Sequence, residues 1–258
     1  MVLSSKKHKL YIVGCGIKFL SHLTIEAKSL IESCDCILYL VNDPAMKRWI
    51  AENSRKSMSL DSIYFDNVDR QESYNSISYE IIETAKRYRT TCFVTYGHPL
   101  FLSNSSQNLI NEIEVNKSDI ELEVIPGISS LDSLCCDLKV DLSMGGMQAY
   151  EATDFLKEDH VINKSSHIIL WQIGVIGITE IIYEESHLSN NINRKKAIKH
   201  LKNKLLKTYS SEHVIILYVA SMYPTVPATI SREKISNLDE IDIPRLATAY
   251  IPPDIIHR

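Results

Sequence analysis

The chain has 258 residues, of which 45% are hydrophobic and 23% charged, and carries a net charge of −4. That length accommodates one large or two modest globular domains with a real core, and the negative balance argues against a surface built to neutralise nucleic-acid phosphates. No apolar run approaches the length of a membrane span, and the six cysteines show no C-x-x-C pair and no Cys/His ligand spacing, so no metal site is expected.

The amino-terminal decapeptide is short and basic, with Lys6, Lys7 and Lys9, and the apolar stretch after it breaks at Gly14 and Gly16. This does not read as a signal peptide, and a cytoplasmic location is expected. Cys34-x-Cys36 and Cys135-Cys136 read as reduced, buried small hydrophobes.

Taken in order, residues 10–13 predict a strand, Gly14-Cys15-Gly16 a tight turn, and 23–31 a helix. A second strand over 36–41 ends at Asn42-Asp43-Pro44, where proline opens a helix running to about residue 51. Asp69 with Glu72 three residues later predicts the capped start of a long helix ending near Tyr88. The β-branched and aromatic run over 91–96 predicts a strand covered on both faces. A helix over 105–115, a strand over 121–125 and the turn Pro126-Gly127 follow. This alternation implies a parallel sheet with right-handed crossovers.

The second half reads differently. Met144-Gly145-Gly146-Met147 predicts a loop, and 167–172, 214–219 and 246–251 predict more widely spaced strands of a mixed sheet. Asn193 is the expected cap of a basic helix over 194–207, whose cations could steer an acidic peptide or form a solvated face. The expected organisation is α/β with two α/β domains: 1–126 with a parallel sheet and 127–258 with a mixed one.

Ligands of open α/β sheets bind beyond the carboxyl ends of strands. Tyr96-Gly97-His98-Pro99 sits at such an end, where Gly97 permits a turn and Pro99 stops the ladder. Gly14-Cys15-Gly16 occupies a nucleotide-binding context. It lacks the third glycine of the dinucleotide fingerprint, replaced by Phe19, and an acidic ribose partner unless Asp43 serves. Further turns stand at Pro126 to Ser130, Gln172-Ile173-Gly174 and Leu246-Ala247-Thr248, so a cofactor held by several strand-end loops is expected.

These pieces, together with Thr24-Ile25-Glu26-Ala27, Asp43-Pro44, Tyr64-Phe65-Asp66-Asn67, Arg70 with Tyr74, and Tyr150 to Leu156, occur in the order found in a known family. The chain resembles the tetrapyrrole (corrin/porphyrin) methylases, and within them the borosin-type peptide backbone α-N-methyltransferases. The resemblance implies two α/β domains of the class III methyltransferase type with S-adenosyl-L-methionine between them, released as S-adenosyl-L-homocysteine. It implies iterative α-N-methylation of a ribosomal precursor peptide by a homodimer, completed as a 2:2 complex with substrate. Gly16 is followed by Ile17-Lys18-Phe19 in place of the corrin enzymes' Gly-Pro-Gly-Asp continuation, which favours the peptide branch, and Leu100 stands where a glycine is expected after His98-Pro99. The sequence stops at Arg258 without a fused precursor, so the split type acting on a separate chain is expected. A tetrapyrrole (precorrin/uroporphyrinogen) C-methyltransferase and a non-catalytic cofactor- or peptide-binding module are the alternatives.

An amide nitrogen shares its lone pair with the carbonyl, so its methylation needs a base and a group holding the carbonyl oxygen. Arg70 and Tyr74, four apart on one helix face, suit an arginine-assisted phenol acting as base; spacing alone also fits an exposed surface pair. With the resemblance, the expected catalytic residues are Arg70, Tyr74, Tyr96 and Tyr64. The implied cofactor residues are Tyr96, His98, Phe101, Leu102, Ser129, Ser130, Gln172, Tyr218, Val219, Ala247 and Thr248. His98 reads equally as a turn histidine and Ser129 as a helix cap.

Overall fold

The computed structural model describes residues 7–66, 69–116, 119–178 and 187–254, the first four of the last segment by backbone only. The chain divides into two compact units, Met1–Ser133 with Met222–Val226, and Leu134–Ser221 with Pro227–Arg258.

The first unit contains β1 (His8–Gly14), α1 (Ile25–Ser33), β2 (Cys36–Leu40), α2 (Pro44–Asn53), β3 (Ser57–Ser59), α3 (Asp61–Asp66), α4 (Arg70–Arg87), β4 (Thr90–Thr95), α5 (Asn104–Val115) and β5 (Ile120–Ile125). Its five strands run in the order β3-β2-β4-β1-β5, all parallel. The side-chain period of two splits each central strand between the two faces. Val13, Ile37, Cys92 and Val94 pack under α1 and α2 with Ala27, Ile31, Met46 and Ile50. Leu10, Ile12, Leu38 and Phe93 pack on the other face under α4 and α5 with Ile77, Ile81, Leu109 and Ile113. Crossovers run from β1 toward one edge and from β4 toward the other, the arrangement that opens a crevice at the carboxyl ends of these two neighbours.

In chain order α6 (Ser130–Leu138) comes next. The second unit continues with β6 (Met147–Glu151), α7 (Ala152–Lys157), β7 (His167–Trp171), α8 (His187–Leu205), β8 (Val214–Val219), β9 (Thr229–Lys234) and β10 (Thr248–Ile251). Its sheet has the order β6-β7-β10-β8-β9, parallel between β6 and β7 and antiparallel elsewhere. Phe155, Ile168, Leu170, Ile198, Leu201, Leu205, Leu217 and Ala249 form its core. The mixed α/β architecture expected from the sequence is therefore present.

Several local expectations change. The long basic helix begins at His187, so Asn193 lies inside it. Its helix packs there on Gly177, whose added Cβ would fall 2.8 Å from that of Ala197, and this tertiary contact overrides the capping preference of asparagine. The strand expected over 246–251 starts only at Thr248, because the Ala247 N–H turns back onto the Pro244 carbonyl at 2.9 Å. Met147, expected in a loop, opens edge strand β6. Cys136 is exposed, whereas Cys15, Cys34, Cys36 and Cys92 are buried free thiols. Among the described residues no helix is long and apolar enough to cross a membrane, and no group of three or more His, Cys, Asp or Glu could hold a metal.

Helix α4 carries the residues of most interest, and its start is fixed by Asp69, whose carboxylate accepts from the N–H groups of Gln71 (2.7 Å) and Glu72 (3.1 Å). Asp69→Ala is expected to cost about 1 kcal/mol. Urea unfolding checks this: the midpoint falls while the slope is unchanged.

Candidate functional site

The site of the first unit is built from backbone. Gly16 and Gly97 exchange hydrogen bonds, N–H to carbonyl at 3.1 and 3.0 Å, so the turns after β1 and β4 are tied together. Gly97 holds φ +71, open to glycine at little cost. A Cβ on Gly14 would lie 2.4 Å from the Gly97 carbonyl oxygen and 2.9 Å from the Gly127 nitrogen. One on Gly127 would lie 2.4 Å from that same oxygen and 2.7 Å from the Gly14 oxygen. The ends of β1, β4 and β5 therefore meet as bare backbone, a cradle that side chains would fill.

Two groups of side chains stand at these strand ends. In the first, Arg70 opens α4 and Tyr74 follows one turn later. The Tyr74 ring lies 6.3 Å from that of Tyr64, which packs edge-on against Phe65 at 5.0 Å. Ser73 donates to the Tyr64 carbonyl at 2.8 Å, pinning α3 to α4. Asn108 donates to the Tyr74 carbonyl (3.3 Å) and to Ser78 Oγ (2.9 Å), pinning α5 to α4. Asn104, the first residue of α5, thereby reaches the Tyr74 hydroxyl. The structure thus brings Arg70, Tyr74 and Tyr64 together, and adds Asn104, which sequence reasoning missed.

The electrostatics differ from expectation. The Tyr74 phenol is raised above its ordinary value, chiefly by burial and then by Tyr64. Arg70 and the Asn104 hydrogen bond pull it down, but by less. The sign of the guanidinium effect is the one expected; desolvation of a half-buried phenol outweighs it. In the free protein Tyr74 is a neutral hydrogen-bond donor.

Tyr96 keeps different company. It follows β4 directly, and its phenol is pushed strongly up, by burial first and then by Cys15 and Asp43. Cys15 is itself pushed up to about 12 by burial, so it is no nucleophile at neutral pH. Asp43 is 3% exposed; its Oδ1 caps α2 by accepting from Ala45 N–H (3.0 Å) and also accepts from the Tyr223 hydroxyl (2.9 Å).

The loop after Tyr96 shows how His98, Phe101 and Leu102 are placed. His98 Nδ1 accepts from the Leu100 N–H at 3.1 Å, the turn role, and the Phe101 N–H returns to the His98 carbonyl at 3.2 Å. The left-handed residue of this loop is Leu102 (φ 55), while Leu100 takes the place of the expected glycine without positive φ. Ser129 and Asp132 form a reciprocal capping box for α6: Asp132 accepts from the Ser129 N–H (2.7 Å) and hydroxyl (2.6 Å), and Ser129 Oγ accepts from the Asp132 N–H (3.2 Å). Ser130 is the first helical residue after this cap.

In the second unit, the remaining expected cofactor residues stand at one end of the neighbouring strands β7, β10 and β8. Gln172 follows β7 in a left-handed conformation (φ 58, ψ 29). Gly174 lies against the Pro244 and Arg245 carbonyls, with room for no Cβ. Thr248 pairs with Tyr218 across β10 and β8, with Ala247 and Val219 beside them. Tyr218 is buried and donates to Asp137 at 2.7 Å. The basic helix spends part of its charge internally: Arg194 binds the Ile243 carbonyl, Lys202 pairs with Asp239 at 2.5 Å, and Lys204 donates to the Phe155 and Glu158 carbonyls at 2.6 Å each.

Comparison with known proteins places this geometry. The family model described as Tetrapyrrole (Corrin/Porphyrin) Methylases matches residues 9–225. A methyltransferase/ribosomally synthesized cyclic peptide gymnopeptides precursor from Gymnopus fusipes is 30% identical over 249 residues, 95% of this chain and 57% of the relative. A methyltransferase/ribosomally synthesized type I borosin cyclic peptide precursor from Serendipita vermifera subsp. bescii is 31% identical over 255 residues, 96% of this chain and 59% of the relative. The chain thus spans somewhat more than half the length of these two proteins. Among solved structures, a uroporphyrin-III C-methyl transferase from Thermus thermophilus complexed with S-adenyl homocysteine superposes with a TM-score of 0.60 at 13% identity, covering 95% of this chain and 92% of that one. At that identity the likeness concerns the fold.

The backbone cradle has a direct test. Gly127→Ala places a methyl within 2.4 Å of a carbonyl that has no side chain to move aside. We expect a stability loss of about 1–3 kcal/mol, measured by chemical denaturation.

Proposed function

Because the chain belongs to the tetrapyrrole (corrin/porphyrin) methylases, we propose that it is an S-adenosyl-L-methionine-dependent methyltransferase that iteratively α-N-methylates backbone amides of a separate ribosomal precursor peptide. The proposal includes a cytoplasmic homodimer forming a 2:2 complex with that peptide. Peptide substrates are suggested by the names of the relatives, which are methyltransferases and cyclic-peptide precursors in one chain.

The observation that carries this reading is the cluster of Tyr74, Tyr64, Arg70 and Asn104. The residues present fit the cofactor. The glycines fix peptide groups of three strand ends at one rim, and the buried carboxylate of Asp43 at that rim suits a ligand bearing positive charge. The residues proposed to hold it are Tyr96, His98, Phe101, Leu102, Ser129, Ser130, Gln172, Tyr218, Val219, Ala247 and Thr248, with the backbone of Gly14, Gly97 and Gly127. When bound, S-adenosyl-L-methionine supplies a methyl group made electrophilic by its sulfonium.

The chain's own task is to free the amide lone pair. The small fraction of Tyr74 that is ionised is the base: the Arg70 guanidinium supports that phenolate, whose Oη takes the amide proton and returns to the neutral phenol. Tyr96 holds the peptide carbonyl or orients the amide, and Tyr64 forms part of the peptide-side wall; this alignment supplies the entropic share of the acceleration. Tyr96 is suited to this because its raised phenol stays a donor at every physiological pH.

The experiment is incubation with S-adenosyl-L-methionine and a candidate precursor peptide, followed by fragmentation mass spectrometry. Single-methyl steps on backbone amides support the proposal; methylation of a uroporphyrinogen ring, or cofactor binding without turnover, overturns it. A pH profile adds a sharper check. A phenol titrating above about 10 is ionised in fewer than about one molecule in a hundred at pH 8. The rate should therefore climb about tenfold per pH unit from about pH 7 to 9. Arg70→Ala moves that rise to higher pH, and Tyr74→Phe lowers turnover about 100-fold or more while leaving S-adenosyl-L-homocysteine affinity within about twofold.

A further inference from the structure

The carboxylate of Asp43 has one oxygen with a purpose and one without. Oδ1 caps α2 and receives the Tyr223 hydroxyl, as described above. Oδ2 is buried and has no hydrogen-bond partner among the described residues. A buried carboxylate oxygen left unpaired costs several times what an unmade neutral hydrogen bond costs, and structures retain such groups where they have work to do. Its setting is specific. Asp43 follows β2, the strand next to β4, and its charge is felt at both Tyr96 and Cys15, which follow β4 and β1. It therefore belongs to the same carboxyl-end rim as the glycine cradle.

We infer that Asp43 Oδ2 is a ligand acceptor: it receives a hydrogen bond from an N–H or O–H donor of the bound methyl donor, either its ammonium or a ribose hydroxyl. This rests on the cofactor reading above. The other oxygen is already committed, so the two tasks of the side chain are separable by atom. Oδ2 is shielded from water in the free protein, so a ligand reaches it by displacing a neighbour. Tyr223, 37% exposed on the turn Met222–Val226, is the neighbour with room to move. A bond made there forms away from solvent, where the low local dielectric strengthens it.

Asp43→Asn isolates the proposal. Asparagine remains a good helix cap and keeps an oxygen for Ala45 and Tyr223, while replacing the unpaired acceptor by a donor. Calorimetric titration would use S-adenosyl-L-homocysteine and 5′-methylthioadenosine, which retains the ribose hydroxyls but lacks the amino-acid group. We expect Asp43→Asn to weaken S-adenosyl-L-homocysteine about tenfold or more. An equal loss for 5′-methylthioadenosine assigns the donor to the ribose; a loss for S-adenosyl-L-homocysteine alone assigns it to the ammonium. Tyr223→Phe leaves Oδ2 in place and should change either affinity less than about threefold. If Asp43→Asn binds both compounds as wild type does, or if Tyr223→Phe weakens them as much as Asp43→Asn, the carboxylate serves only to anchor the turn and the inference fails. Should Asp43→Asn not fold, Asp43→Ser retains a cap and carries the same comparison. Wild-type protein that binds neither compound overturns the cofactor reading itself, an outcome distinct from the others.

Discussion

Everything at the rim of the parallel sheet depends on three backbones approaching more closely than a methyl group allows. Gly14, Gly97 and Gly127 each follow a different strand, yet a single carbonyl, that of Gly97, would collide with a Cβ on either of the other two. Such contact is possible only where β1, β4 and β5 are adjacent and in a parallel register that brings their carboxyl ends level, as the pairing of Gly14 with Thr95 and of Val13 with Ile125 shows. The glycines therefore both require the topology and reinforce it. They also leave the rim lined by peptide groups, so recognition there falls to dipoles and to the few side chains that overhang it.

Those overhanging side chains illustrate a competition between burial and charge. Both Tyr74 and Tyr96 sit in partly dehydrated surroundings that keep the phenol neutral, and for both the desolvation effect is the largest. They then diverge. Tyr74 has a guanidinium and an amide donor drawing it back toward ionisation, whereas Tyr96 has a carboxylate and a thiol pushing it further away. Two residues of the same type are thus both held neutral but to different degrees, Tyr96 being pushed further from ionisation than Tyr74 by its neighbours.

The parallel half of the fold was largely legible in the sequence because its signals are local. The buried run Thr91-Cys92-Phe93-Val94 reads as a strand wherever it lies, and Asp69 with Glu72 specifies a helix start within four residues. What escaped notice were elements whose residues say little on their own. Strand β3 is Ser57-Met58-Ser59, β9 is an edge strand of half-exposed and charged residues, and α3 is six residues with none buried. Helix α8 was misjudged at its start because a run of asparagines speaks for a cap, whereas packing on Gly177 decides otherwise. In the site, helical spacing put Arg70 and Tyr74 on one face, but their proposed role came from the family resemblance, since spacing alone also fits a surface pair. The contact of Asn104 with Tyr74 spans thirty residues of chain, and that of Tyr223 with Asp43 spans 180, so no spacing rule could pair them.

The unequal treatment of the six cysteines has a practical side. Four are sealed in the first unit, and burial lifts Cys15 to about 12 and Cys34 to about 11, beyond the reach of ordinary thiol reagents near neutrality. Cys136 is the one exposed cysteine, on the short helix that starts three residues past Gly127. A fluorophore or spin label attached there would ride on α6 without any cysteine having to be engineered in, and would report from the unmodified protein when that helix is disturbed.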